Sequence, residues 1–282
     1  MNESGAPLGG GLSGRVALIT GGNGGIGGTF ARALAARGCT VLILGRNEQQ
    51  SLQVAEEIRA AGGRAETYPA DVTDEAGLGR VAEDIAQRFG GLNILINAAG
   101  GNVRAATAQQ DQLADAGEET TFFDLPAESL QQEVDLNLRG TWLPCKVMAP
   151  LMEGRKGACI LNISSMGALT PLTRIPGYSA AKAGVSSFTR WLATYLARSG
   201  IRVNALAPGF FSTEQNRALQ FNEDGTPKPR LQKILAGTPM GRLGRLEELT
   251  GAMLFLTDER ASGFVTGVVL PVDGGFSAYS GV

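Results

Sequence analysis

Short runs of consecutive apolar residues, many of them β-branched, alternate along the chain with longer stretches whose apolar positions recur every three or four residues. The short runs are Arg15 to Thr20, Thr40 to Leu44, Ala65 to Ala70, Leu92 to Ile96, Ala158 to Ile163, Arg202 to Gly209 with its exit turn, and Val265 to Val272, and they predict buried strands. Helical spacing leads up to Arg37, covers Gln49 to Ala61 before the stop signal Gly62-Gly63, and recurs over Glu75 to Phe89. It returns from about Glu128 to Met152, again from Tyr178, and over Leu246 to Leu256. Strands alternating with helices and no internal repeat predict one α/β domain, a doubly wound parallel sheet of about seven strands with helices on both faces.

Two stretches break this rhythm. Arg104 to Glu119 is polar and rich in Ala and Gln with no apolar stripe, so residues of about 104–120 read as a surface insertion. Glu214 to Arg242 is polar and interrupted by Pro227, Pro229 and Pro239; inserted between the last strands, it suits a substrate lid over 214–242. Met1 to Gly14 has no basic residue ahead of an apolar core. Residues 1–13 therefore read as a flexible leader rather than a signal peptide, and residues 14–282 as the catalytic domain.

Composition narrows the function classes. A chain of 282 residues, 43% of them hydrophobic, can bury the core of one large α/β domain. The net charge of −2, with a sequence pI near 5.4 and no long basic run, argues against a nucleic-acid partner. No uninterrupted apolar segment reaches the roughly 18 residues of a membrane span. Cys39, Cys145 and Cys159 are scattered through apolar neighbourhoods, as buried reduced thiols of a cytoplasmic protein would be. The chain has no histidine, which removes the commonest metal ligand and the usual partner of a serine or cysteine nucleophile.

Chemistry without imidazole is offered by Tyr178-Ser-Ala-Ala-Lys182. On a helix, Lys182 lies one turn beyond Tyr178 on the same face. A phenol of ordinary pKa about 10 carries protons poorly at neutral pH, and a neighbouring cation favours its ionised form. Ser165 follows the strand ending at Ile163, at the carboxyl end where ligands of open α/β sheets collect, and its hydroxyl can hydrogen-bond a substrate oxygen. A helix cap, a solvated lysine and a turn serine would use the same letters.

Other motifs describe a dinucleotide cradle. Gly21-Gly-Asn-Gly-Gly-Ile-Gly27 stands between a strand and a helix, so Gly21, Asn23, Gly24, Gly25, Ile26 and Gly27 bring backbone N–H groups and a helix N-terminus to a pyrophosphate. After the second strand comes Gly45-Arg46-Asn47, with no acid for a ribose 2′-hydroxyl. Arg46 tilts the cofactor toward NADP, with NAD the alternative if the guanidinium merely stacks on adenine. Asp71 and Val72 are placed for the adenine edge, Asp71 serving equally as cap of the helix that follows. The small residues of Asn97-Ala98-Ala99-Gly100 let backbone pass close to a flat cofactor. Asn137 sits in the apolar middle of a helix, where it can bend the helix or hold a relay water. Pro208-Gly209, Phe211 and Thr213 cross the open end of the sheet.

Taken together, TGGNGGIG at Thr20 to Gly27, NAAG at Asn97 to Gly100, Asn137, Ser165, YSAAK at Tyr178 to Lys182 and PGFFST at Pro208 to Thr213 resemble the short-chain dehydrogenase/reductases from about Gly14 to the C-terminus. The resemblance implies a Rossmann domain and a homotetramer. It also implies Tyr178 as acid/base, Lys182 lowering its pKa and holding the ribose, Ser165 polarising the carbonyl and Asn137 anchoring a water chain. GGN at Gly100 to Asn102, SSMGALTPLTRIPGYSAAKA, APGFFSTEQNR, TPMGRLG and the tail VDGGFSAYSGV are similar to one branch of that family, the D-mannonate oxidoreductases, or fructuronate reductases. Val103-Arg104 departs from the His-Pro expected there, and that group's link to NAD stands against Arg46. A sugar acid or polyol then becomes the expected substrate. Asn102, Gln215 and Asn216 are placed for its hydroxyls, and Arg174 or Arg217 for its carboxylate. A 3-oxoacyl thioester reductase and a non-catalytic dinucleotide sensor are the competing readings.

Overall fold

Among the described residues nine strands follow one another: β1 (Val16–Thr20), β2 (Thr40–Gly45), β3 (Arg64–Pro69), β4 (Ile94–Asn97), β5 (Cys159–Ile163), β6 (Arg202–Pro208), β7 (Phe211–Ser212), β8 (Gly244–Arg245) and β9 (Val269–Val272). The computed structural model describes residues 10–115, 117, 119–212 and 220–281. Seven of these strands form one parallel sheet in the order β3-β2-β1-β4-β5-β6-β9, and β7 pairs with β8 apart from it. The order reverses between β1 and β4, and a crevice opens beyond the carboxyl ends of strands at such a switch point.

Alternation along each strand assigns side chains to the two faces. Ala17, Ile19, Val41 and Ile43 pack with Phe30 and Leu34 of α1 (Gly25–Ala35), Val54 and Ile58 of α2 (Glu48–Ala60), and Leu249 and Met253 of the helix Glu247–Thr257. Leu18, Leu42 and Leu95 face the other way, toward Leu78 and Ile85 of α3 (Glu75–Phe89), Leu143 and Met148 of α5 (Gly140–Met148), and Leu192 of α6 (Pro176–Leu196). Both faces are covered, which is why the strands read as continuous apolar runs.

The single helix predicted over Glu128 to Met152 is built in pieces. It comprises α4 (Ala127–Val134), a wide π turn over Asp135–Arg139, α5, and a tight 3-10 turn over Ala149–Met152. Pro144, inside α5, has no N–H to donate back along the helix, and Asn137 spends its side-chain amide on the Glu133 carbonyl at 3.0 Å. The last strand is shorter than its apolar run, because Val265 to Val268 form the approach to it: Gly267 N–H donates to the Val203 carbonyl at 2.7 Å and Val268 N–H to Asn204 Oδ1 at 3.0 Å. The helix after β3 is preceded by Asp74 and not by Asp71, which instead accepts from the amide and hydroxyl of Thr73 at 2.8 and 2.7 Å.

The insertion folds back on itself through Gln109 N–H to the Thr120 carbonyl, and onto the segment ahead of α6 through Ala108 N–H to the Arg174 carbonyl. In the stretch expected as a lid, Pro229 opens a helix that runs to Ala236, where a proline costs nothing at the first turn.

Candidate active site

Ser165, Tyr178 and Lys182 meet at the carboxyl end of β5. Ser164 fixes α6 against that strand: its Oγ lies 2.7 Å from Ser186 Oγ and 3.1 Å from the Lys182 carbonyl. Ser165 follows with its Oγ accepting from Gly167 N–H at 3.0 Å, and the same hydroxyl lies near enough to the Tyr178 phenol to favour its ionised form. Lys182 is 4% exposed and donates from Nζ to the Ile163 carbonyl at 2.8 Å, with Nζ 5.8 Å from the centre of the Tyr178 ring. Burial pushes this amine down to about 8, so it remains largely charged at neutral pH.

The expected pull of Lys182 on the phenol is not what dominates. Burial pushes Tyr178 above its ordinary value, the Ser165 hydroxyl draws it back, and the Glu133 carboxylate pushes it up again. The ammonium is committed to the Ile163 carbonyl, which disperses part of its charge.

Asn137 is fully buried and stitches the loop after β4 to the helix: Oδ1 accepts from Gly101 N–H at 3.0 Å and Nδ2 donates to the Gly101 carbonyl at 2.9 Å. Its own carbonyl takes the Thr141 hydroxyl at 2.9 Å. Gly100 passes so close that a Cβ there would lie 2.7 Å from Asn137 Oδ1 and 3.1 Å from Lys182 Nζ. Asn97 turns inward, with Nδ2 on Asn162 Oδ1 at 2.9 Å, so it braces β4 against β5, and the small Ala98, Ala99 and Gly100 follow it. Asn102 Nδ2 donates to Thr107 Oγ1 at 2.9 Å on the exposed side of the loop.

The residues between β1 and α1 make a cradle that fits a dinucleotide pyrophosphate. Gly21 has φ +62°, and a Cβ on it would lie 2.8 Å from the Ala99 backbone; a Cβ on Gly27 would run into the Gly21 carbonyl. Gly24 precedes α1 without any side-chain cap, so Gly25 and Ile26 begin the helix with N–H groups that have no partner within it, as an anion site requires. Asn23 lies over Gly45 and donates to the Asn47 carbonyl at 3.1 Å, while Asn47 caps α2 through Gln50 N–H. Arg46 is exposed, 3.8 Å from Asp71. Burial opposes ionisation of Asp71, but Thr73 and Arg46 outweigh it and hold the carboxyl below its usual range. Val72 is buried against Gly140.

Beyond the end of β6, where substrate residues are expected, Gly209 N–H donates to the Val272 carbonyl at 3.0 Å, and Phe211 is buried in the small β7–β8 pair. Arg174 has φ +70° and donates from Nε to Asp111 Oδ1 at 2.7 Å, and Lys233 takes the other Asp111 oxygen at 2.6 Å. Asp111, held down to about 2 by these two cations, clasps together the insertion, the loop before α6 and the helix Pro229–Ala236. Neither Asp111 nor Lys233 carries a sequence motif. Thr213, Gln215, Asn216 and Arg217 lie outside the described residues.

The comparisons with known proteins agree with this fold. The sequence profile of a family described as enoyl-(acyl carrier protein) reductase matches residues 21–277. An uncharacterized oxidoreductase of Bacillus subtilis (strain 168), UxuB, is 46% identical over 276 residues, covering 98% of this chain and 99% of the relative. A candidate D-mannonate oxidoreductase from Haemophilus influenza, solved with bound NAD, superposes with a TM-score of 0.94 at 47% identity over 98% of this chain and all of that one. A gluconate 5-dehydrogenase from Burkholderia cenocepacia, solved with NADP and tartrate, has a TM-score of 0.80 at 34% identity over 96% and 98% of the two chains. With its seven-stranded parallel sheet, glycine cradle and Ser-Tyr-Lys cluster, the chain belongs to the short-chain dehydrogenase/reductases, a family of oxidoreductases.

Proposed function

We propose that this enzyme interconverts a secondary alcohol and a ketone on a sugar acid, with D-mannonate and D-fructuronate as the substrate pair and NAD(H) as the cofactor. The observation that carries the reaction type is the convergence of the Ser165 hydroxyl, the Tyr178 phenol and the buried Lys182 amine at one strand end, beside the Gly100 backbone. The choice of substrate is supported by 47% identity over nearly the whole chain to the Haemophilus candidate D-mannonate oxidoreductase.

The dinucleotide supplies or accepts hydride when bound. Gly21, Gly24, Gly25, Ile26 and Gly27 would hold its pyrophosphate, Asp71 and Val72 its adenine, Ala98 to Gly100 and Lys182 its inner ribose, and Pro208, Gly209, Phe211 and Thr213 the nicotinamide end. Tyr178 takes the hydroxyl proton in oxidation and returns it in reduction, help worth roughly a hundred- to ten-thousand-fold. Ser165 holds the substrate oxygen. The Lys182 charge favours the phenolate that this work requires, and Asn137 fixes the loop against which the cofactor lies.

The NAD assignment rests on the Arg46–Asp71 pair together with the NAD-bound relative. The charged Asp71 carboxylate lies 3.8 Å from Arg46 and would repel a 2′-phosphate drawn to that guanidinium. The exposure of Arg46 favours the second reading, NADP. Arg174 is our choice for the substrate carboxylate, with Arg217 the alternative, and Asn102, Gln215 and Asn216 for hydroxyls. The residues of 214–242 would close over them as a lid.

A second copy of the chain would cover the stacked ladder Phe188, Trp191 and Tyr195 on α6, whose rings stand 6.2 and 5.0 Å apart with Trp191 58% and Tyr195 70% exposed. A homotetramer in the cytoplasm is the assembly we favour. No helix among the described residues is long and apolar enough to cross a membrane.

The test is a panel of D-mannonate, an uncharged polyol and an acetoacetyl thioester, each with NAD and NADP, followed by nicotinamide absorbance. Turnover of D-mannonate with NAD is the expected outcome. Preference for the thioester would move the enzyme to the acyl reductases, and no turnover of any pair would leave a dinucleotide-binding sensor.

A further inference from the structure

Glu133, in the last turn of α4, is fully buried, a rare place for a carboxylate without a cation. Among the described residues no lysine or arginine pairs with it. Oε1 accepts from Val103 N–H at 2.9 Å, which ties it to the loop that carries Gly100, Gly101 and Asn102. Oε2 is buried and has no hydrogen-bond partner among the described residues. It points at the first turn of α6, where a Cβ built on Gly177 would lie 2.5 Å from it.

That turn has donors to spare. Ile175 precedes the helix without a side-chain cap, and Pro176 has no N–H, so the amides of Gly177 and Tyr178 open α6 with no partner from the helix itself. A carboxylate there is favoured by the helix dipole; burial still pushes the Glu133 carboxyl above its ordinary value, and the Val103 and Tyr178 amides draw it back only in part. One turn on, Asn137 donates to the Glu133 carbonyl, so the same residue also holds the π turn.

We propose that Glu133 is a positioning residue of this active site: its buried carboxylate ties the Gly100–Val103 loop to the first turn of the helix bearing Tyr178 and faces the phenol with a negative charge. The proposal rests on the reading of Tyr178 as the proton carrier. A hydrophobic residue of like size would fill the same space and remove the cost of an unpaired buried oxygen, so structure alone does not call for an acid here.

Among the described residues, the charged groups that face the phenol are Glu133 from α4 and, from α6, Lys182. The loop from Gly100 to Val103 brings amides and no charge, and the end of β5 brings the Ser165 hydroxyl. Glu133 therefore opposes Lys182: one disfavours the phenolate and the other favours it. Removal of the Glu133 charge should make Tyr178 more acidic.

The experiment compares Glu133→Gln, Glu133→Ala and Gly177→Ala in the full chain. The ultraviolet phenolate titration, read as the difference between each protein and its Tyr178→Phe counterpart, reports Tyr178 alone among the four tyrosines. Glu133→Gln keeps an acceptor for Val103 N–H and is expected to lower the Tyr178 midpoint by roughly half a pH unit or more. With the preferred alcohol substrate, kcat/KM should fall about tenfold or more in Glu133→Ala and recover most of that loss in Glu133→Gln. Gly177→Ala, which displaces Oε2 without altering charge, should lower kcat in the same way. A Tyr178 midpoint unchanged in Glu133→Gln overturns the proposal whether or not the alanine variants fold, as does kcat/KM within twofold of wild type in Glu133→Ala. The titration needs no substrate, so it stands apart from the identity of the sugar acid; a wild-type protein inactive on every alcohol would sink the functional reading and leave this arm intact.

Discussion

Lys182 donates to the Ile163 carbonyl at 2.8 Å while standing 5.8 Å from the centre of the Tyr178 ring, so one amine is anchored to the strand end and faces the phenol from the helix that carries both. Among the described residues no carboxylate pairs with it. An unpaired buried ammonium costs stability, and the cost has a sign that pH reveals.

The Lys182 amine is held at about 8 in the fold against 10.5 for an ordinary lysine. Between those values the unfolded chain binds the proton more readily, so the fold gains stability as pH rises from 8 to 10.5 and lacks that gain at pH 7. The full span is on the order of 3 kcal/mol. Lys182→Met should therefore melt at or above wild type at pH 7, with the gap closing or reversing by pH 10, while turnover is lost. Thermal melts across that range read it directly; a variant that melts well below wild type at pH 7 would show the amine to be stabilising.

Gly27→Ala places a methyl group against the Gly21 carbonyl and 2.9 Å from Gly22 Cα, and both neighbours are backbone that cannot swing away. Overpacking of this kind costs roughly 1–3 kcal/mol. Melting temperature should fall, and NAD affinity, measured by fluorescence titration, should drop about tenfold or more, equivalent to about 1.4 kcal/mol. Unchanged affinity would place the pyrophosphate elsewhere.

Arg174→Met keeps a side chain on a backbone already at positive φ, so it adds no new strain of that kind. The loss of the planar cation should raise KM for D-mannonate about tenfold or more and leave an uncharged polyol within about twofold. Equal changes on both substrates would assign Arg174 to the Asp111 clasp alone.

Trp191→Glu puts a charge in the exposed aromatic ladder of α6. If this face meets a second copy, the variant should shift to a smaller species in light scattering at a concentration where wild type is oligomeric. The same mass for both proteins would place the subunit contact elsewhere.

The sheet was readable from the chain because strands covered on both faces leave continuous apolar runs, and glycines forced by backbone contact, such as Gly21 and Gly27, stand at fixed offsets from them. Less readable was anything set by the meeting of distant segments. Asn97 looks like part of a cofactor loop, yet its side chain turns inward to Asn162, a residue on a different strand. The π turn arises from where Asn137 finds its partners, which periodicity does not report. Glu133 reads as one more polar residue on an amphipathic helix. Its position one turn before Asn137 was the available hint; its burial depends on how α6 packs against α4. The acidity of Tyr178 follows the same lesson, since the Tyr-Lys spacing announces the cation while burial and an acid from another helix set the balance.

The proposed reaction turns on Tyr178 as the group that moves the substrate proton beside a bound nicotinamide. The most direct measurement is the rate of NAD reduction with D-mannonate in wild type and Tyr178→Phe, alongside NAD affinity of both. Turnover is expected to fall by roughly a hundred- to ten-thousand-fold in the variant while NAD affinity stays within a few fold. A phenylalanine variant that retains most of its kcat would contradict it.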